Sequence, residues 1–395
     1  MRILLPCDNY LYRYNGEIYA KSQEEYDLFK RYIRVFDFLR LVGRCSDVNE
    51  LKPTYVPITD SRIEIVTLPM FRGPFQFLKV FKDIKNRIKN IYDGVDAGVL
   101  RLPSIMGSYM GYEMIRRHLP YITENLYDSQ DGYRSSERLS EIILWRLMDC
   151  LQRHLCYKAD GVSCVTQYYM QRRYYTKKKD GFYSHYSTLA LYPSFYTAPR
   201  KFPSQKKTFG IIHIANPVVT KGRKGHEQMI MMLERVVKKD INANVFFIGG
   251  GTEEEINKLK VFANECGVGD RVTFTGFLSK DEIRKFLLES DLYVMPTKAE
   301  GLPRVVIEAM SVGLPCISSK ISGLPELLDS HYLTEYHDVD KMANLVIELL
   351  TRPELYESVS RENYEKSKAY EASILEARRD LFYAKLKSKV SAGRQ

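Results

Sequence analysis

Short apolar runs alternate with longer stretches of helical period along the chain. Ile3-Leu4-Leu5-Pro6 reads as a buried strand that empties into a polar loop from Asp8 to Gly16, and a helical stretch follows from about Ser22 to Val35. Further strands are expected at Phe38–Val42, Glu64–Leu68, Ala97–Leu100, Tyr121–Thr123 and Gly161–Val165, with helices such as Gln76–Tyr92 and Glu137–Tyr157 between them. The segment Tyr192–Lys207 carries Pro193, Pro199 and Pro203 among Ser, Thr and Lys, which breaks every period and closes the first unit. A second alternating unit follows, with strands at Gly210–Ala215, Asn244–Ile248, Val272–Thr275, Leu292–Met295 and Pro315–Ser318. Its helices are expected at Gly225–Lys238, Glu253–Cys266, Lys280–Ser290, Val305–Ser311 and Val339–Leu350, before a charged helical tail from Glu354 to Lys387.

Strands alternating with helices imply right-handed crossovers and mostly parallel sheets covered on both faces. The expected class is therefore α/β: two doubly wound, Rossmann-like domains facing each other, with ligand in the cleft at the carboxyl ends of the strands. The expected domains are 1–203, 204–365 and a tail, 366–395, that packs back on the first. A length of 395 residues fits two domains at about 100–200 residues each. Hydrophobic residues at 45% with charged residues at 27% exclude a disordered chain. No stretch approaches the roughly 20 apolar residues of a membrane-spanning helix. Met1–Cys7 runs into Asp8 and Asn9 without a signal-peptide core, so a cytoplasmic location is expected. The seven cysteines are scattered without a C-x-x-C pair, which indicates neither a disulfide framework nor a thiolate zinc site. Of the net charge of +10, the first 200 residues hold +8, which points to an anionic partner for that half.

The most informative segment runs from Tyr293 to Met310, YVMPTKAEGLPRVVIEAM, followed by Gly313-Leu314-Pro315-Cys316. A strand ends at Pro296, a short loop carries Glu300-Gly301, and a helix starts near Pro303, where proline suits the first turn. A helix start of this kind binds phosphate through its free amides and the positive end of its dipole, and Gly301 permits close backbone approach.

This run resembles the retaining glycosyltransferases of the GT-B fold, specifically the family-4-type group with the E-x7-E motif, here Glu300 and Glu308. The similarity extends through Val272-Thr273-Phe274-Thr275-Gly276-Phe277 before it and Ile321-Ser322-Gly323-Leu324-Pro325-Glu326 after it, covering most of residues 208–350. In the N-terminal half only the pattern is similar. The resemblance implies transfer of a glycosyl group from a nucleoside-diphosphate sugar with retention of configuration, the first domain holding the acceptor and the second the donor. Glu308 would accept hydrogen bonds from the donor ribose and Glu300 would contact the transferred sugar. The amides of Gly301 and Leu302 would hold the distal phosphate, and Thr297, Phe277 and Leu278 would border the base.

A departing diphosphate needs a fixed positive charge. Lys224, in Lys224-Gly225-His226, is similar to the family's Lys-Gly and would supply it. The family's arginine a few residues earlier is replaced by Val218 or Val219, so Arg223 or Lys221 would take the second cationic role. Asp128 lies where relatives carry a residue beside the donor sugar, and is alternatively a loop aspartate capping a turn. Gly16 is the candidate for close backbone approach in the first loop, and Gly249-Gly250-Gly251 is a turn at the cleft rim. No Asp-x-Asp-like site and no metal-ligand spacing of the histidines is present, so no metal and no cofactor beyond the donor is expected.

Two basic stretches in the first half suit an anionic surface. In residues 76–91, Phe77, Phe81, Ile84, Ile88 and Ile91 form one helical stripe, with Lys79, Lys82, Lys85, Arg87 and Lys89 over much of the remainder. In residues 168–179, tyrosines alternate with Arg172, Arg173 and Lys177-Lys178-Lys179. Each reads either as a surface for lipid headgroups or as a packed element with a solvated face. No nucleic-acid motif accompanies the charge. The expected acceptor is a saccharide or lipid-linked saccharide of a bacterial surface polysaccharide, used by a protein peripheral to the inner face of the plasma membrane. The competing reading is a non-catalytic nucleotide-sugar or polyanion-binding protein on the same fold.

Overall fold

The computed structural model describes residues 1–136, 138–189, 191–220 and 222–393, and the chain divides into two compact units. The first comprises Met1–Tyr133, Arg138–Tyr186 and Glu376–Gln395; the second comprises Arg134–Glu137 and Ser187–Leu375.

The first unit runs β1 (Arg2–Tyr14), β2 (Glu17–Ala20), α1 (Gln23–Ile33), β3 (Phe38–Asp47), β4 (Val56–Pro57), β5 (Ile63–Leu68), α2 (Gly73–Arg87), β6 (Ala97–Leu102), α3 (Ile105–Arg116), β7 (Tyr121–Asn125), α4 (Ser129–Arg134), α5 (Leu139–Lys158), β8 (Gly161–Cys164) and β9 (Phe182–His185). The parallel order is β5-β3-β1-β6-β7-β8-β9, and β2 and β4 form an antiparallel ribbon on the far half of β1. Right-handed crossovers place α2, α3 and α5 on one face of this sheet and α1 on the other. Ser22 caps α1 by accepting from the Glu25 amide.

The strand from Ile3 does not end at Pro6. A bulge at Asp8-Asn9 absorbs the polar pair and β1 continues to Tyr14 alongside β3, because the aromatic-rich stretch Tyr10–Tyr14 favours a pleated surface. Asn15 and Gly16, both at positive φ, then turn the chain into β2 as a two-residue hairpin. The apolar stripe of residues 77–91 is core: Ile84, Ile88 and Ile91 are buried, and Phe77 and Phe81 meet Tyr109 of α3 edge-on. Glu137, the expected start of α5, lies outside the described residues.

The second unit has β10 (Phe209–Ile214), α6 (His226–Val237), β11 (Ala243–Ile248), α7 (Glu253–Glu265), β12 (Val272–Gly276), α8 (Lys280–Glu289), β13 (Leu292–Met295), α9 (Arg304–Ser311), β14 (Cys316–Ser319), α10 (Leu324–Leu327), β15 (Leu333–Thr334), α11 (Val339–Thr351) and α12 (Pro353–Ser367). Its sheet is parallel throughout, in the order β12-β11-β10-β13-β14-β15. Both faces are covered, and Ile211, Val245, Phe247, Leu292 and Val294 pack with Met229, Leu233, Met342 and Val346 in one core. Arg200 secures the proline-rich segment to this unit. Its guanidinium donates to the carbonyls of Ser290 (2.5 Å), Leu287 (2.6 Å) and Val312 (2.9 Å).

The tail is broken rather than continuous. After α12, α13 (Ala372–Ala392) begins, and from Glu376 onward it belongs to the first unit. There Tyr383 donates to Glu124 of β7 (2.5 Å), which also accepts from Tyr32 (2.8 Å) and Tyr186 (2.9 Å). Arg101 lies 3.5 Å from the same carboxylate, so this buried charge is fully partnered.

Candidate functional site

The loops after β10 and β13 are built against each other. Gly225, the residue before α6, sits at φ +66°, and a side-chain carbon there would lie 2.5 Å from the Pro296 carbonyl oxygen. Glycine is therefore required on both conformational and steric grounds. The Lys298 amide donates to the Arg223 carbonyl (2.8 Å), the Thr297 amide to the Ser319 hydroxyl (2.9 Å), and the Gly323 amide to the Gly301 carbonyl (3.0 Å). Tyr336 closes the assembly: its hydroxyl donates to the Gly222 carbonyl (3.1 Å) and Gln228 (2.8 Å), and its ring lies under the Lys298 ammonium.

This stitching brings Lys224 and Glu300 into direct ion pairing at the entrance to α9. Their side chains are 29% and 14% exposed, so both remain reachable. Pro303 precedes the helix and supplies no side-chain cap to the first amides of α9. Glu308, half-buried, lies one helical turn further on. Beneath them Tyr293 is fully buried, and burial above all raises its phenol well above its ordinary value. The charges of Cys316, Glu300 and Glu308 act in the same direction, which puts both carboxylates within electrostatic reach of that ring.

Behind Lys224 lie two imidazoles, His213 and His226, edge to face at 5.1 Å and both buried. His213 Nδ1 meets the Val294 carbonyl at 2.9 Å, and the Val219 backbone lies against His226. Burial pushes His213 down to about 4 and His226 down to about 3, with the nearby Lys224 charge acting the same way, so both are neutral.

At the ends of β11 and β12 the three glycines permit close approach. A side chain on Gly249 would strike the Ala215 carbonyl oxygen at 1.8 Å, and one on Gly250 would meet the Phe277 ring at 2.0 Å. Phe277 is exposed over that glycine, with Leu278 half-buried beside it. Where the sequence lacks the second cation, Val218 is buried against Gly249 and Gly251, and Thr220 is tied through its amide and hydroxyl to Glu255. Arg223 is exposed beside Lys224. Lys221 lies outside the described residues.

Four sequence expectations change or narrow. Asp128 is 0% exposed: its Oδ1 accepts from Tyr174 (2.6 Å) and the Gln130 amide (2.8 Å), with Arg173 at 3.6 Å, the arrangement of the turn-capping alternative. Gly16 serves the hairpin turn described above and has no neighbouring atom that a side chain would meet. Thr297 is buried and its hydroxyl donates to the Ala299 carbonyl (3.3 Å), so it shapes the loop instead of lining a base. Arg173 is held by Asp149 (2.6 Å), which leaves Arg172, exposed, as the open cation of that pair. Sequence reasoning missed Tyr336, which stands in Thr334-Glu335-Tyr336-His337 without any motif, and the conformational demand at Gly225. Among the described residues no three of His, Cys, Asp or Glu gather as metal ligands, and no helix is long and apolar enough to cross a membrane.

The family model described as glycosyl transferases group 1 matches residues 200–366. Over 385 residues, 96% of this chain and 94% of the other, the sequence is 22% identical to Protein CapJ of Staphylococcus aureus. It is 32% identical over 138 residues, 32% of this chain and 35% of the relative, to a GDP-mannose-dependent alpha-(1-6)-phosphatidylinositol monomannoside mannosyltransferase of Mycobacterium tuberculosis. Among solved structures, sucrose-phosphate synthase from Thermosynechococcus elongatus superposes with a TM-score of 0.72 at 16% identity, covering 98% of this chain and 99% of that one. HepE from Anabaena in complex with UDP gives 0.65 at 14% identity, over 99% and 100%.

Proposed function

Because the chain belongs, through residues 200–366, to the glycosyl transferases group 1 family and has the GT-B fold, we propose that it is a retaining glycosyltransferase. It moves a sugar from a nucleoside-diphosphate sugar to a saccharide or lipid-linked saccharide in bacterial surface polysaccharide synthesis. The observation that carries this reading is the Lys224–Glu300 pair at the uncapped start of α9 with Glu308 on the same helix. A cation, free amides and an acceptor-only carboxylate there match a diphosphate, a transferred sugar and a ribose in turn. Phe277, exposed over Gly250, offers an apolar wall to the base.

In the proposed mechanism the donor diphosphate displaces Glu300 from Lys224 and lies on the Gly301 and Leu302 amides. As the glycosidic bond breaks, charge grows on the leaving phosphate, and Lys224 with the α9 amides stabilises it in place. The acceptor hydroxyl attacks from the same face and passes its proton to the departing phosphate, while Glu300 holds the sugar. The cationic work falls to Lys224, with Arg223 as the second charge in place of the arginine replaced by Val218 or Val219, and no metal is invoked. UDP heads the nucleotides to try, given the UDP-bound HepE structure.

The test is a thermal-shift panel with UDP, GDP and ADP, with and without EDTA, followed by turnover of the matching sugar nucleotides. Stabilisation by one diphosphate that is indifferent to EDTA and lost in Lys224→Ala supports the reading. A site that binds but never turns over, whether or not Glu300 is replaced by Gln, is the outcome that makes the protein a nucleotide-sugar binder.

A further inference from the structure

The helical layer α2–α3–α5 of the first unit carries apolar side chains on the wrong side. In α5, Met148, Gln152 and Leu155 face the sheet and are buried, yet Leu139, Ile143 and Leu147, at the i, i+4, i+8 spacing, each keep more than half of their surface exposed. Phe75 and Leu78, in the first turns of α2, are also left out, although its core stripe is complete without them. All three helices run back from the carboxyl edge of the sheet, so both apolar groups lie toward that same edge of one layer. α3 joins them, with Tyr109 against Phe77 and Phe81 of α2 and Tyr112 stacked on His154 of α5 at 5.3 Å.

The exposed charge on α2 is predominantly positive. On α2, Phe75, Leu78, Lys79, Lys82 and Lys85 share about a third of the helix circumference, and Lys89 follows in the turn just after it. All are exposed, and none of the four ammonium groups has an ion-pair partner among the described residues. Asp83 is occupied by Arg87, and Glu113 of α3 by Arg116 and Arg117.

We propose that this layer is a docking surface for an anionic lipid bilayer: the lysines of α2 meet the headgroups while Phe75, Leu78, Leu139, Ile143 and Leu147 enter the interface. Charge complementarity selects this occupant, since unpaired lysines gain from anionic headgroups, whereas a second copy of the same layer would oppose cation to cation. The inference deepens the lipid-linked acceptor reading by giving the surface that brings the protein to that acceptor. Arg172, part of the second basic stretch, is not needed for it.

The test uses the full chain and co-sedimentation with vesicles of phosphatidylcholine alone and of phosphatidylcholine mixed with phosphatidylglycerol, each variant first checked by thermal unfolding. Binding to the anionic vesicles only, weakening with salt, is expected. Replacing Lys79, Lys82, Lys85 and Lys89 by Gln should weaken it about fivefold per residue, several hundredfold together, and Arg at the same positions should restore it. Leu139→Ser, Ile143→Ser and Leu147→Ser combined should lower binding at least about tenfold at constant charge. Equal binding to both vesicle types, no binding, or insensitivity to the Gln variant overturns the proposal. So does self-association in lipid-free buffer that the Ser variant abolishes, which assigns the patch to a second copy. Nucleotide binding at Lys224 is read separately by thermal shift, so failure of the donor reading and failure of this one are distinguishable.

Discussion

Replacing Glu300 by Gln should tighten binding of a nucleoside diphosphate while it cripples transfer. In the free protein Lys224 and Glu300 neutralise each other, so an incoming diphosphate must take the lysine from the carboxylate and then sit beside a like charge. A unit charge about 4 Å from Lys224 gains about 4 kcal/mol at an effective dielectric of 20, which is an upper bound for a partly exposed site. Hydrogen bonds to charged groups contribute about 1.5–3 kcal/mol by substitution, so Lys224→Ala should weaken UDP about 10- to 150-fold. Partly exposed pairs of this kind contribute about 0.2–1 kcal/mol. Freeing Lys224 by Glu300→Gln should therefore tighten UDP about 1.5- to 5-fold, and kcat with the sugar nucleotide should fall about 100-fold or more as the sugar loses its partner. The gain depends on Lys224 being there to free, so in the double variant Glu300→Gln should bring little or none of it. Calorimetric titration with UDP at two salt concentrations reads all four proteins. Weakening of UDP by Glu300→Gln to the extent seen with Lys224→Ala would refute the competition, because Glu300 would then be positioning the lysine for phosphate rather than withholding it.

Gly225→Ala places a side chain 2.5 Å from the Pro296 carbonyl at φ +66°, so it should cost at least about 1–2 kcal/mol in urea unfolding and loosen nucleotide binding as Lys224 shifts. His213 and His226 are neutral in the fold, with values of about 4 and about 3 against 6.5 when unfolded. The unfolded chain therefore binds more protons, and stability should fall as pH drops from 6.5 toward those values. His226→Phe should flatten that part of the unfolding profile, and an unchanged slope would place the proton uptake elsewhere. Glu124→Gln puts an amide donor opposite three tyrosine hydroxyls and should destabilise the first unit by about 2–4 kcal/mol, with hydrogen exchange quickening across residues 376–392. Arg200→Ala leaves three carbonyls without their donor and should cost about 3 kcal/mol in unfolding of the second unit.

The alternation of short apolar runs with helical periods was legible wherever one element did one job. The strands and helices of the second unit follow the periodicity closely because each is buried on both faces or on a single stripe. The first unit departs where polar and aromatic residues mix. Asp8 and Asn9 read as the start of a loop, yet a bulge accommodates them and pairing with β3 continues for four more positions, Tyr10 to Arg13. No local signal distinguishes a bulged strand from a strand end, since the partner that sustains the pairing, Arg44 to Asp47, lies over thirty residues away in sequence. The break between α12 and α13 is likewise set by where Glu376 onward packs, through Tyr383 onto Glu124, and not by a breaker residue.

The loop proposed to take the donor was legible for a different reason: the chemistry proposed for it is carried by backbone. A strand, a glycine, a proline and a helix in fixed order create free amides at a fixed place, so the residues that shape the loop are visible as a motif even when their side chains never touch a ligand. Thr297 belongs to that motif yet spends its hydroxyl on the Ala299 carbonyl, so presence in the motif marks the fold of the loop and not contact. Asp128 is the complementary case, where of its two readings the structure shows the turn-capping one. Its role was assigned by position after a strand, but position says nothing about which way a side chain turns, and Tyr174, forty-six residues on, turns it inward. The same argument explains the apolar stripe on α5. Leu139, Ile143 and Leu147 have the spacing of a core face, and only the structure reveals that the sheet is served by the opposite face of the helix, which leaves this one exposed.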